Sequence, residues 1–223
     1  MIVEDVHWVD PSTRELIDRI ASDAAGEPLL VVLSTRADAE ARWQPAGEVH
    51  DEELKGLSAE AARQLVEGVG GTARLPSEIV HSLAARTDGV PLFIEESTRM
   101  AVELGAAWAD NHAALMRQVP STLLDLLTAR LDRLADAKQL AQICGTVGRE
   151  FSLPLVRAVL AHPGSPFHVD DLAGALAALT HSGMLAPRAS ATGEPGRYRF
   201  KHALIRDAAY RSLLERDRKR LHG

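Results

Sequence analysis

The strongest constraint on the fold lies in the first 35 residues, where two apolar runs flank one helical segment. Residues 29–34 form a continuous apolar run whose length and β-branched content predict a strand covered on both faces, as in a parallel sheet. Asp10 and Pro11 predict a helix start, with Asp10 as the N-cap and Pro11 at the first helical position. Residues 1–5 are typical of the end of another strand. Strand, helix and strand in this order predict a βαβ unit and therefore an α/β fold.

Two acidic residues, Glu4 and Asp5, follow the first apolar run. The carboxyl end of a strand in a parallel sheet is where ligands bind. Carboxylates at that position can coordinate Mg²⁺ and orient a water molecule beside a nucleotide phosphate. The loop that binds the phosphates in such sites, G-x-x-x-x-G-K-[ST], does not occur in this sequence, since no lysine follows such a glycine loop. The pair therefore indicates half of a nucleotide site, and the alternative is two solvated acids in a loop.

The remainder of the chain is predicted to be mostly helical. Helices are expected to begin at Ser58, at Pro76 and at Pro91, and they would form a small helical segment over residues 58–119. The predicted elements of the last segment, residues 120–223, are helices at about 123–134, 138–147, 152–161, 169–182 and 202–220, and a β-hairpin formed by 184–186 and 197–200. Helices followed by a hairpin are the layout of a winged helix-turn-helix. A loop with a short strand near Val49 is expected at 37–57, a loop with a short helical piece at 106–119, and a loop at 189–196.

The net charge changes sign near Pro120. Residues 1–119 carry 10 Lys and Arg against 21 Asp and Glu, whereas residues 120–223 carry 15 against 10. This asymmetry favours separate segments with different surfaces, and the positive one permits contact with phosphates or with an acidic neighbour. The expected recognition helix, 169–182, holds Asp170 and Asp171 but no Lys or Arg, so direct DNA binding is not expected.

Composition excludes several classes of protein. No apolar run approaches the roughly 18–20 residues of a membrane span, and the N-terminus lacks the basic residues of a signal peptide. The single cysteine, Cys144, cannot form an internal disulfide, which favours a reducing cytoplasm, and we interpret it as a small buried residue of a helix. The histidines show no H-x-x-x-H pair and have no cysteine partners, so no independent metal site is predicted.

Four stretches, in the same order along the chain, resemble motifs of the STAND class of AAA+-related P-loop ATPases. The resemblance is to the bacterial regulators and adenylate-cyclase-associated ATPases of that class, and it starts at the Walker B segment. The stretches are residues 4–13 (Walker B), 34–36 (sensor 1), 87–96 (the G-x-P segment) and 198–210 (the histidine-bearing segment of the winged helix).

The resemblance implies a role for each candidate residue of the first stretches. Glu4 would assist Mg²⁺ coordination, and Asp5 would orient or deprotonate the attacking water. Arg36 would contact the γ-phosphate or report its loss. The alternative for Arg36 is a surface arginine paired with a neighbouring acid.

The later stretches would hold the nucleotide. Gly89 and Pro91 would form the turn that packs on the adenine, with Pro91 as the apolar surface. Gly89 also suits a helix end and Pro91 a helix start, so both explanations can hold together. His202 would reach the β-phosphate of bound ADP, and its alternative is a capping or interface histidine.

By this resemblance the fold class is part of an α/β P-loop sheet (residues 1–57), a helical lid (58–119) and a winged-helix domain (120–223). The predicted function is that of a fragment of a cytoplasmic ATP-binding signalling ATPase. Its ATP/ADP and Mg²⁺ state would switch an attached cyclase or DNA-binding effector. Because the P-loop region, its main partner, is missing, the chain alone is predicted to bind no nucleotide tightly. The alternative is a stand-alone winged-helix module that binds DNA or a protein.

Overall fold

The computed structural model describes residues 1–23, 26–36, 49–71, 75–105, 117–165, 167–188 and 196–222. These residues are mostly helical, with one small parallel and one small antiparallel sheet, so the protein has mixed α and β character. The chain divides into two compact units, Met1–Lys55 and Gly56–Gly223. In chain order the elements are β1 (Ile2–Val3), α1 (Pro11–Asp23), β2 (Val32–Leu33), α2 (Ala59–Gly70), α3 (Ser77–Arg86), α4 (Pro91–Glu103), α5 (Leu123–Asp132), α6 (Asp136–Val147), β3 (Glu150–Ser152), α7 (Leu153–Ala161), α8 (Leu172–His181), β4 (Leu185–Arg188), β5 (Arg197–Phe200), α9 (Ala203–Arg211) and α10 (Glu215–His222).

The first unit contains the predicted strand–helix–strand order. β1 pairs with β2 in parallel, with Ile2 opposite Val32 and Val3 opposite Leu33, and α1 connects the two strands. The βαβ prediction is thereby confirmed. The paired segments are only two residues long, so the sheet is much shorter than the apolar run at 29–34 suggested.

The start of α1 is capped as predicted. One carboxylate oxygen of Asp10 accepts hydrogen bonds from the backbone nitrogens of Ser12 and Thr13, at 3.0 and 3.1 Å, and the other accepts from the Thr13 hydroxyl at 2.7 Å. The hydrogen bonds from Thr13 lower the pKa of Asp10, because they stabilise the ionised carboxylate. Pro11 follows as the first helical residue.

The strand at 29–34 is not covered on both faces, so that prediction is wrong. Leu30 is 75% exposed, Ile2 on the neighbouring strand is 74% exposed, and Val32 is 43% exposed. Two short strands and one helix present too little apolar surface to cover both sides of a parallel pair. The described part of this unit therefore leaves apolar sheet surface in contact with solvent.

In the second unit, α2, α3 and α4 pack around one hydrophobic cluster, to which α5 also contributes. The predicted helix starts are confirmed: the Ser58 hydroxyl caps α2 by accepting from Ala61 N at 3.2 Å, α3 starts after Pro76, and Pro91 is the first residue of α4. The buried members of the cluster are Ala62, Val66, Ile79, Val80, Leu83, Phe93, Ile94, Met100, Ala101, Val119 and Leu126.

A second hydrophobic cluster joins α5 to α9 with the antiparallel sheet. The strand order is β3-β5-β4, so β5 lies in the centre and pairs with both neighbours. Cys144 lies in α6 and is fully buried in this cluster, as predicted, and burial raises the pKa of its thiol. Other buried members are Leu127, Leu131, Leu140, Ile143, Phe151, Val156, Leu179, Met184, Leu185, Phe200 and Ile205.

Two predictions about elements of this segment are wrong. The predicted helix over 202–220 is two helices, because the chain turns between Arg211 and Glu215. The Ser212 hydroxyl donates to Ala209 O at 2.7 Å, and Leu213 turns into the core, where it is 3% exposed. The strand β3 was not predicted, since its three residues are too few to show a periodic pattern.

The expected recognition helix begins later than residue 169. It starts after Asp171, whose carboxylate accepts from Gly174 N at 2.8 Å and so caps the helix. The loops predicted at 37–57, 106–119 and 189–196 lie largely outside the described residues. Residues 49–57 form no strand or helix, so the short strand predicted near Val49 does not occur in the described part of this loop.

Candidate functional site

The acidic pair lies in a tight turn directly after β1. Asp5 has a left-handed backbone (φ 55°, ψ 45°) and is followed by a short 3₁₀ helix, Val6–Trp8. The backbone nitrogen of Asp5 donates to Ser34 Oγ at 3.0 Å, and that of Val6 donates to Ser34 O at 2.9 Å. Ser34 is the first residue after β2, so one serine holds the acidic turn against the end of the neighbouring strand. Glu4 and Asp5 are both exposed.

Arg36 follows two residues after Ser34 and is exposed. The carboxyl ends of parallel strands meet at one edge of a sheet, so Glu4, Asp5 and Arg36 all leave the β1–β2 pair at the same edge. The sequence-predicted residues of the first unit therefore follow the carboxyl ends of two paired strands.

The carboxylates fit Mg²⁺ bound to a nucleotide better than Mg²⁺ alone. Glu4 and Asp5 supply two acidic side chains, and no group of three or more His, Cys, Asp or Glu that could hold a metal occurs among the described residues. Mg²⁺ is usually bound by one or two carboxylates together with phosphate oxygens and water. The pair therefore fits a site in which phosphates complete the coordination.

Gly89 has a clear structural role. Its φ is 69°, and its carbonyl accepts from Leu57 N at 2.8 Å. A Cβ at Gly89 would lie 2.4 Å from Leu57 O, and one at Gly56 would lie 2.5 Å from Asp88 O. Two backbone segments thus cross so closely that glycine is needed on each. This crossing fixes the position of Pro91, which is exposed at the start of α4.

His202 lies between β5 and α9, at the N-cap position, and its side chain makes no capping hydrogen bond. The pKa of His202 is lowered, first by partial desolvation and also by the positive charges of Lys201 and Arg149, whereas Glu95 acts to raise it. Glu95 belongs to α4, the helix that begins at Pro91. The structure thus places His202 within electrostatic reach of the helix that follows the Gly89 turn.

A buried charged cluster in the second unit was not predicted. Arg130 of α5 is 2% exposed; its Nη1 pairs with the Glu96 carboxylate, and its Nη2 donates to Glu103 Oε1 at 2.8 Å and to Ser182 O at 3.1 Å. Burial, and secondarily the charge of Arg133, lowers the pKa of Arg130 to about 10. A sequence signal existed, since Arg130 is four residues after Leu126 and so lies on the apolar face of its helix.

Trp8 and His7 lie in the turn next to the acidic pair. Trp8 is 76% exposed, and its ring lies 5.2 Å from that of His7. Trp8 therefore contributes little to packing within the described residues.

Comparison with known proteins gives one distant relative. No protein-family model matches the chain, and no solved structure matches it. An uncharacterized protein of Rhizobium meliloti (strain 1021) is 28% identical over 232 residues, which include 99% of this chain. The chain spans 21% of the length of that curated relative, so the homologous protein is much longer.

Among the described residues, no helix is both long enough and apolar enough to cross a membrane.

Replacing Gly89 by alanine tests the backbone crossing. We expect Gly89→Ala to lower the free energy of unfolding by about 2 kcal/mol or more, because the left-handed backbone and the contact with Leu57 both oppose a Cβ. Gly68→Ala is the matched control, since a Cβ there meets nothing within 4 Å. Because alanine favours a helix over glycine, the free energy of unfolding should rise by about 0.5–1 kcal/mol. Urea unfolding measures both values. Equal effects would contradict the assigned role of Gly89.

Titration of His202 by NMR tests its electrostatic link to α4. We expect a midpoint below the ordinary value of about 6.5, and a further decrease in Glu95→Gln, because Glu95 raises the pKa. Since the folded pKa lies below the unfolded one, the contribution of His202 to stability is present above about pH 6.5 and is lost as the pH falls toward the folded pKa. Glu78→Gln on α3 is the control. An unchanged midpoint in Glu95→Gln would show that the two residues do not interact.

Proposed function

We propose that the chain is part of a STAND-class signalling ATPase, comprising the second half of its nucleotide-binding sheet, its helical lid and its winged-helix domain. The observation that carries this proposal is the acidic turn: the hydrogen bonds from Asp5 and Val6 to Ser34 bring the two acids and the segment of Arg36 to one edge of a parallel strand pair. Walker B and sensor 1 elements require this adjacency.

The roles of the first-unit residues follow from their chemistry at that edge. Glu4 would hold Mg²⁺ through its carboxylate, and Asp5 would accept a proton from, or orient, the attacking water. The guanidinium of Arg36 would contact the γ-phosphate and respond to its loss. Bound Mg²⁺ would neutralise phosphate charge at this edge.

The second unit supports the lid and winged-helix assignments. Two helices, α7 and α8, lie between β3 and β4, and the sheet order β3-β5-β4 is that of a winged-helix hairpin with a short third strand. Pro91 is exposed at the end of a rigid turn, where it could pack on an adenine ring. His202 has a lowered pKa, so at neutral pH its imidazole is largely uncharged and would donate a single hydrogen bond to a phosphate oxygen.

The uncovered faces of β1 and β2 support the view that further elements of the intact protein pack against them. Parallel strands are stable when both faces are covered, yet Ile2 and Leu30 are each about three-quarters exposed. The relative from Rhizobium meliloti is long enough to carry the missing region. We place the phosphate-binding loop before residue 1 of the intact cytoplasmic protein, with a cyclase or DNA-binding effector as the regulated partner.

Nucleotide binding by two lengths of the protein tests the proposal. We expect the 223-residue chain to show no micromolar affinity for Mg–ATP in equilibrium dialysis. A protein extended by its upstream codons should contain G-x-x-x-x-G-K-[ST], bind ATP and hydrolyse it. Asp5→Asn in the extended protein should slow hydrolysis by roughly 10²-fold or more, because it removes the base.

The control for this experiment is Glu15→Gln, which removes an exposed acid of α1 and should leave hydrolysis unchanged. Micromolar ATP affinity of the short chain, or an upstream sequence without the glycine loop, would overturn the proposal.

A second candidate function is a winged-helix binding module. It is favoured by Arg157, Arg197 and Arg199, which are exposed around α7 and β5 and make no ion pair within the described part of the chain. The exposed positions of α8 oppose it: Ala173, Gly174 and Ala177 offer neither charge nor hydrogen-bonding side chains to base edges.

A gel shift with random duplex DNA at low salt separates the two candidates. We expect no retention of DNA by the 223-residue chain, because α8 contains neither Lys nor Arg. Retention that falls steeply with salt and is weakened in Arg197→Gln would instead support the binding module.

A further inference from the structure

One side of α4 carries charged residues at helical spacing. Glu95, Arg99 and Glu103 follow one another at intervals of four, and Glu96 lies beside them. We call these four residues the α4 charge stripe. It faces α5 and the turn after α8, since Arg130 pairs with Glu96 and Glu103 and also donates to the carbonyl of Ser182.

The stripe lies where the two hydrophobic clusters of the second unit meet. α5 contributes Leu126 to the cluster of α2–α4, and Leu127 and Leu131 to the cluster of α6–α9. Arg130 lies on the same helix. Its guanidinium contacts both segments, since it pairs with α4 and also donates to the carbonyl of Ser182 after α8. The two clusters are therefore joined by one shared helix and by one buried charged contact.

The same stripe reaches the segment that carries His202. Glu95 acts on His202 electrostatically. A Cβ at Gly183 would lie 4.0 Å from the Arg99 guanidinium carbon and 3.6 Å from Lys201 Nζ, so Arg99 and Lys201 both border this turn. The charged side of α4 and the β5–α9 junction thus lie close to the same turn.

The buried ion pairs of Arg130 are not explained by stability alone. A buried ion pair usually adds little net stability compared with apolar side chains of similar volume, but breaking one partner is costly. The hydrogen bonding is also incomplete: Nε of Arg130 and Nε of Arg99 are buried and have no hydrogen-bond partner among the described residues, although Arg99 Nε lies 3.8 Å from Glu96 Oε1. A contact with these properties favours one orientation of the two segments over others.

We propose that the contact of Arg130 with Glu96 and Glu103 is a lock that fixes the α2–α4 segment relative to the α6–α9 segment. While closed, the lock keeps the Pro91 end of α4 and His202 in one arrangement; when opened, it releases the α6–α9 segment as a body that turns about α5. The regulatory meaning of this lock rests on the proposed nucleotide function, since Pro91 and His202 would contact the same nucleotide. The lock itself is a property of the chain and is testable without nucleotide.

Distance measurements between spin labels test the lock. Labels at Glu67→Cys on α2 and Ala177→Cys on α8 occupy exposed positions on the two segments, and the native Cys144 is buried. We expect a single narrow distance distribution with Arg130 present. In Arg130→Met, which keeps an unbranched apolar side chain but removes the guanidinium, we expect a second, displaced population.

Hydrogen exchange distinguishes a lock between the two segments from a contribution of Arg130 to global stability. In Arg130→Met the amides of α4 and of residues 182–184 should exchange roughly tenfold faster or more, whereas those of α6 should not change. Arg63→Met, which breaks exposed ion pairs on α2, is the matched control and should alter neither region. Equal acceleration in α4 and α6 would show a merely structural role and overturn the proposal.

A gentler variant keeps the test decisive if Arg130→Met does not fold. Arg130→Lys retains the charge but cannot span Glu96, Glu103 and Ser182 with a planar fork, so it should also broaden the distance distribution. A folded Arg130→Lys protein with the narrow distribution of the parent would overturn the lock. Because no nucleotide is present, these results do not depend on the outcome of the ATP experiments.

Discussion

The second unit depends on the double use of α5. A helix of ten residues supplies leucines to two hydrophobic clusters, with adjacent positions, Leu126 and Leu127, pointing into different cores. Such a helix cannot shift along its axis without disturbing both clusters, although one cluster can turn about it if the remaining contacts allow. Its cap is correspondingly firm: the Thr122 hydroxyl accepts from Asp125 N at 3.2 Å and donates to the Asp125 carboxylate at 2.6 Å.

The elements that sequence reasoning predicted well are those with local causes. Asp10 and Ser58 cap helices because their side chains reach the backbone nitrogens of the next turn, which is a property of a few neighbouring residues. Periodicity found most helices for the same reason. The failures have non-local causes: β3 exists because β5 is available to pair with it, and the break before α10 exists because Leu213 is drawn into a core built by distant residues.

The candidate site shows the same division. The positions of Glu4, Asp5 and Arg36 at strand ends could be predicted, because strand direction follows from the sequence. The two hydrogen bonds that Ser34 accepts, through its hydroxyl and its carbonyl, could not be predicted from the sequence. They depend on the left-handed turn at Asp5. Gly89 was recognised from a motif, but the reason for it in the fold, the backbone of Leu57 passing beside it, required the structure. The apolar face of α5 indicates that Arg130 is buried, but its partners Glu96 and Glu103 could not be predicted, because they lie far away in the sequence.

The exposed strands of the first unit also affect how the protein associates with other copies of itself. Within the described residues, β1 and β2 pair only with each other, so each has an outer edge of backbone groups open to another strand. These edges lie beside exposed Ile2 and Leu30, a combination of open backbone and apolar side chains that invites pairing between separate molecules. At high protein concentration we therefore expect this sheet to be a site of association between molecules.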